Sequence, residues 1–239
     1  MAVRFDNTAD SLSRTTNLPT ITSFTMMAWI QLVVDTNAFT SFLVIGDSTT
    51  LNIHYLGTNG TGTVLNFSNP NGDVAGATLT LGQWYHVAMT VAGTGAGQAL
   101  SYLDGALALT QDGSTSVTTE ALYLGNNSFG ENLNGRMAAV KIYSAVLTAT
   151  EIAIEMRQYA PVRWTNLNAW YPLLDTATDQ DDFSGNGNAL TVGGTLATEE
   201  GPPIPWQRYK NRRGSSAEAA QGWGHLLGSS RNRLVYVSR

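Results

Sequence analysis

Apolar and polar positions alternate with a period of two along much of the chain, the signature of strands that bury one face. In Trp84–Val91 the residues Trp84, His86, Ala88 and Thr90 fall on one face, and Tyr85, Val87, Met89 and Val91 on the other. Phe24–Leu32 (FTMMAWIQL) alternates at first and then turns apolar throughout, which predicts a central strand covered on both faces. Segments 100–103 and 107–110 flank Asp104-Gly105. Asp-Gly between two apolar runs predicts a tight hairpin, because that turn needs positive φ. Further strands are predicted at 121–125, 136–143, 167–174, 189–192 and 195–197, with glycine-rich turns at 57–62, 93–97 and 125–130. The period changes once. Thr148 and Glu151 have capping-box spacing, Ile152, Met156 and Tyr159 give a short helical stripe, and Pro161 ends it.

Short strands with turn signals every 8–12 residues or so predict an all-β chain: an antiparallel two-sheet β-sandwich of jelly-roll type with one short helix, over residues 1–200. Trp29, Trp84 and Trp170 lie in strand patterns and are expected in the core. The segment 201–205 (GPPIP) is expected to stop regular structure and project the chain outward, so that 201–239 form an extended C-terminal arm.

Charge sharpens this division. Residues 1–204 carry 6 Lys and Arg against 17 Asp and Glu, a balance of −11, whereas 205–239 carry 7 against 1, a balance of +6. The arm interleaves its basic residues with aromatics: Trp206, Arg208, Tyr209, Lys210, Arg212, Arg213, Trp223, Arg231, Arg233 and Tyr236. Such a segment suits assembly, with arginines meeting acidic protein surfaces and aromatics anchoring the contact. Nucleic acid is not the expected partner, because the acidic body would repel a duplex. The absence of cysteine excludes disulfides, thiolate metal sites and a cysteine nucleophile. The N-terminus carries no basic-then-apolar leader and no apolar run reaches membrane-spanning length, so neither secretion nor a membrane is expected.

Several segments in this order and spacing carry a resemblance: FDNTADSL at 5–12, SFTMMAWI at 23–30, GQWYHVA at 82–88 with YLDG at 102–105, LNGRMAAVKIY at 133–143, LTATEI at 147–152, and AWYPL at 169–173 with DFSGNGN at 182–188. Together they resemble the concanavalin A-like lectin/laminin-G superfamily over residues 2–200. The direct start on a strand and the Pro-rich exit are similar to laminin-G-like proteins of tailed bacteriophages. The resemblance implies a virion protein on the particle surface, made in the host cytoplasm. On it the sandwich is displayed outward, and the arm fastens it to its own kind or to capsid or tail subunits. The alternative it implies is an adhesin that binds host-surface glycans, with calcium in some relatives.

Catalysis is not expected. Glycoside hydrolysis needs two carboxylates facing each other across a cleft. The Glu-x-Asp-x-x-Glu arrangement of glucanases is absent, and Glu151, Glu155, Glu199 and Glu200 fall on the helix or at the exit. His54, His86 and His225 are scattered, without metal-ligand spacing. No cofactor is required. The candidate ion is calcium, which takes about six to eight oxygens, and the loop residues Asp179, Asp181, Asp182, Asn186 and Asn188 offer that chemistry. A glycan would need exposed aromatics and amides on rim loops, for which Asn126, Asn127 and Phe129 are the candidates.

Overall fold

The structure, a computed structural model, describes residues 1–6, 9–15, 22–36, 38–47, 52–114, 121–127, 129–176 and 179–205. Along the chain run β1 (Ala2–Phe5), β2 (Ser11–Arg14), β3 (Phe24–Leu32), β4 (Thr40–Asp47), β5 (Asn52–Thr58), β6 (Val64–Asn69), β7 (Gly72–Thr78) and β8 (Trp84–Val91). Then come β9 (Gly95–Leu103), β10 (Ala106–Gly113), β11 (Leu122–Leu124), β12 (Gly135–Tyr143), α1 (Ala149–Glu155), β13 (Leu167–Tyr171), β14 (Asp179–Gln180), β15 (Leu190–Gly193) and β16 (Ala197–Glu199). Among the described residues these form two sheets of eight strands, ordered β10-β9-β8-β3-β12-β1-β16 with β13 beside β12, and β14-β15-β2-β11-β4-β5-β6-β7. All pairings are antiparallel, so the predicted two-sheet sandwich is the observed fold.

Alternation decides what faces the core. Tyr85, Val87, Met89 and Val91 of β8 point inward, as do Phe24, Met26, Ala28 and Ile30 of β3. Leu43, Ile45, Leu56, Leu65 and Phe67 meet them from the other sheet. The opposite face of β3 and β8 is covered as well. Met27, Ala88, Tyr102 and Tyr143 pack under Leu147 and Ile152, at the start of α1. Both faces of β3 are therefore covered, as its mostly apolar sequence requires.

The helix carries the predicted capping box: Glu151 N donates to Thr148 Oγ1 (3.2 Å) and Thr148 N donates to Glu151 Oε2 (2.8 Å). It is shorter than its sequence stripe, ending at Glu155 with Met156 as C-cap. Tyr159 lies beyond it, in a separate cluster with Ala2, Ala138 and Ala139. A buried ion pair holds the helix end to the sheet. Lys141 Nζ lies 2.7 Å from Glu155 Oε2, and both side chains are 1% exposed. The ammonium also donates to the carbonyls of Glu155 (2.7 Å) and Gln158 (2.9 Å), so its three protons are all used. A bulge in β12 at Ala139 (φ 51) shifts the register that places Lys141 on this roofed face.

Asp104 and Gly105 both have positive φ (50 and 79), the conformation the hairpin sequence demands. Trp170 is buried, whereas Trp29 and Trp84 are only partly so and pack at the roofed face instead of in the central core. One compact unit spans Met1–Gln207. Residues 201–205 carry no helix or strand and lie against the body. Gly201 sits so close to Met1 and Tyr159 that a Cβ would clash with both, and Ile204 packs against the cluster of Ala2, Ala138, Ala139 and Tyr159.

Candidate functional site

The two sheets differ on their outer faces. The sheet containing β3 is roofed by α1 and its flanks, whereas on the outer face of the other sheet the described residues form only a small cluster across β11, β4 and β5, of Val44, Ile53, Tyr55 and Tyr123. Beside this cluster the sheet carries a cleft of about 300 Å³, lined by Phe39, Ile53, Tyr55, Asn66, Ser68, Asp73, Phe129 and Glu131.

The pleat selects its floor. In β5, His54 and Leu56 turn inward while Ile53 and Tyr55 turn out. In β6, Leu65 and Phe67 turn inward, which leaves Asn66 and Ser68 for the cleft, and Asp73 of β7 is the partner of Ser68. The Tyr55 ring lies along its own strand, with its hydroxyl 2.8 Å from the carbonyls of Thr40 and Thr58. Gly57 makes this arrangement fit, because a Cβ there would run into both Thr40 O and the Tyr55 ring. Burial, with Glu131 and Asp73 nearby, pushes the Tyr55 phenol well above its usual range, so it stays a neutral wall.

The walls come from loops. Asn127 Oδ1 accepts from the backbone N–H of Phe129 (2.9 Å) and Glu131 (3.3 Å), and its Nδ2 donates to Glu131 Oε2 (2.6 Å). This Asx-type knot throws the Phe129 ring outward, 47% exposed, and turns Glu131 into the cleft. Opposite stands Phe39, 40% exposed. Partial burial raises the Glu131 carboxyl above its usual value. Hydrogen bonds from Asn127 and Ser41 oppose that shift, and the charge of Asp73 adds to it. On the floor Asn66 is 1% exposed, and its Nδ2 finds no hydrogen-bond partner among the described residues. A buried donor left without a partner is costly unless something else supplies an acceptor.

Of the residues singled out by sequence, Phe129 lines the cleft. Asn127 stands behind it as scaffold, and Asn126 Oδ1 accepts from the Asn127 N–H (2.7 Å). The acidic loop is a hydrogen-bonded knot. The carboxylate of Asp182 accepts from Trp170 N (3.0 Å), Ser184 N (2.9 Å), Ser184 Oγ (2.8 Å) and Asn188 N (3.0 Å). Asn186 Nδ2 donates to the carbonyls of Leu167 (2.8 Å) and Asn168 (3.0 Å), and Asn188 Nδ2 to that of Asn168 (2.9 Å). Asp179 pairs with Thr191 between β14 and β15, and Asp181 is exposed. This donor set ties the loop to β13 and does not fit a calcium cage; among the described residues no three His, Asp or Glu side chains gather where one ion could reach them. The arm residues Trp206, Arg208, Tyr209, Lys210, Arg212, Arg213, Trp223, Arg231, Arg233 and Tyr236 lie outside the described residues. The cleft residues missed by sequence are Phe39, Ile53, Tyr55, Asn66, Ser68, Asp73 and Glu131.

Residues 6–153 match the Laminin_G_3 model of the concanavalin A-like lectin/glucanases superfamily, and the chain belongs to this family. No curated protein sequence matches it. Among solved structures it is similar to a Bacteroides ovatus protein proposed to bind carbohydrate, at TM-score 0.66 and 20% identity over 85% of this chain; the match spans 61% of that protein's length. It is also similar to a native heptameric SAP-like pentraxin of Limulus polyphemus, at TM-score 0.55 and 14% identity, over 81% of this chain and 94% of that one. At such identities the likeness is one of fold.

Proposed function

We propose that the sandwich is a non-catalytic, lectin-like carbohydrate-binding domain, and that the cleft over β5, β6 and β7 holds the sugar. The observation that carries this reading is the pairing of two exposed aromatic rings, Phe39 and Phe129, with the polar side chains of Asn66, Ser68 and Asp73 on the floor and Glu131 on the wall. Aromatic faces accept the apolar C–H face of a pyranose, and carboxylate and amide groups orient its hydroxyls. The Glu131 carboxylate takes hydrogen bonds from Asn127 and Ser41, which suits a fixed acceptor better than a proton shuttle. The Bacteroides ovatus likeness supports the same reading. The test is a glycan microarray followed by titration calorimetry, with Phe129→Ala beside the natural chain. Loss of about tenfold or more in affinity is expected. Unchanged affinity places the sugar elsewhere, and turnover of a bound polysaccharide that is lost in Glu131→Gln overturns the non-catalytic reading.

A second reading concerns residues 205–239 and rests on their +6 balance against an acidic body. In it the arm fastens the displayed domain to neighbouring subunits of a larger particle, a virion in the reading the phage resemblance favours. Light scattering of the full chain beside a chain ending at Gln207 tests it: oligomers in the first and monomers in the second are expected, and identical masses refute self-assembly through the arm.

A further inference from the structure

The cleft does not end at Phe39. On the other side of that residue lies a second cleft of about 230 Å³, lined by Asp6, Thr36, Ala38, Phe39, Gly130, Asn132, Leu133 and Asn134. One loop borders both: Phe129 and Glu131 face the first, Gly130 and Asn132 the second. Each cleft holds a buried polar atom with no partner among the described residues. In the first it is a donor, Asn66 Nδ2; in the second an acceptor, Asn132 Oδ1, whose own Nδ2 is spent on Gly130 O (2.8 Å). Each volume alone is at or below the small end of ordinary ligand sites, about 300 Å³. The pair, joined across one exposed ring, has room for more than one sugar.

Charge then selects the ligand. Among the described residues, the ionisable acids lining the two clefts are Asp73 and Glu131 in the first and Asp6 in the second, and none of the lining residues is Lys, Arg or His. An anionic group placed here meets the partly buried Glu131 carboxylate and the exposed carboxylates of Asp73 and Asp6, and like charges repel, most strongly at Glu131, where water is partly excluded. A neutral sugar meets no such repulsion, and its hydroxyls find acceptors together with the Asn66 Nδ2 donor.

We infer that the two clefts are successive subsites of one groove, in which Phe39 is the shared platform, and that the groove takes a non-anionic oligosaccharide of two or more rings while rejecting uronate, sulfated and sialylated glycans. This rests on the carbohydrate-binding reading above. The full chain is to be screened on an array holding neutral, amine-bearing, uronate, sulfated and sialylated glycans of one to six residues. The shortest and longest members of the best-binding series are then titrated against the natural chain, Asn66→Ala and Asn132→Ala, with Ser68→Ala as a second first-cleft variant should Asn66→Ala melt early.

Binding confined to non-anionic glycans is expected, with affinity rising from the monosaccharide to the longer members. Asn132→Ala is expected to weaken the long member about tenfold and leave the short one unchanged, whereas Asn66→Ala weakens both. Anionic binders overturn the charge selection. Affinity that is flat with length, or indifferent to Asn132→Ala while sensitive to Asn66→Ala, overturns the shared groove and leaves the single-cleft reading standing. Binding untouched by all three variants, or none to any glycan, overturns both.

Discussion

His54 and His86 are both 1% exposed, one facing the core edge-on to Phe24 (5.0 Å) and the other on the roofed face against Trp29 (5.6 Å). Burial lowers His54 to about 4, and burial with the nearby Lys141 ammonium lowers His86 to about 3, both from 6.5. Because the folded values are depressed, the unfolded chain binds protons that the folded chain refuses. The stability each ring contributes is complete above pH 6.5 or so and is lost as pH falls toward the folded value. At about 1.4 kcal/mol per unit, the 2.5-unit and 3.5-unit gaps between these values come to about 3 and 5 kcal/mol at the acid limit. Between pH 7 and 5.5, before ordinary carboxylates titrate, the two together remove about 2.5 kcal/mol, a large part of the roughly 5–15 kcal/mol that holds a domain folded. Urea denaturation at half-unit steps of pH measures this. Linear extrapolation is expected to give a slope approaching two protons near pH 5.5, falling by one in either His54→Gln or His86→Gln. A flat profile over this window, or a slope unchanged in both variants, refutes the argument.

Three further outcomes follow from contacts described above. Lys141→Met leaves the Glu155 carboxylate buried without its counter-charge and is expected to cost about 3–5 kcal/mol in urea unfolding, of which a Lys141→Met, Glu155→Gln double variant recovers part. Asp182→Ala removes the acceptor of four hydrogen bonds; Tm should fall by several degrees, equally in calcium and in chelator, and a fall seen only in calcium would make the loop an ion site. Gly57→Ala forces Tyr55 off its strand and is expected to cost about 1–3 kcal/mol by thermal melting and to abolish glycan binding, since the cleft floor moves with the ring.

The sandwich was legible because its central strands are long and strongly patterned. The inward set of β8 is the set its alternation names, and the Asp104-Gly105 turn and the Thr148–Glu151 cap are local chemistry that tertiary contacts leave intact. The helix stripe overran its end because Tyr159 is apolar for a different reason, packing on Ala2 and Ala139. The site was mostly hidden. β5, β6 and β7 are short and rich in Gly, Asn and Thr, so Gly57 reads as a turn until the Tyr55 ring is seen lying across it. Asp73 and Glu131 are far apart in sequence and meet only through the pairing of β4 to β7 and the knot at Asn127. Phe129 was visible as an exposed aromatic on an Asn-rich loop. Phe39, alike in chemistry, lacked such flanks.

Ala2 on β1 pairs with Glu199 on β16, and Met1 lies against Gly201, so the two ends of the described body sit side by side at one margin of one sheet. A pull applied to both ends would load the hydrogen bonds of that antiparallel pair one after another, starting from the outermost, instead of shearing them all together. Under such a pull the body would yield at that pair first, before the rest of the sandwich is loaded.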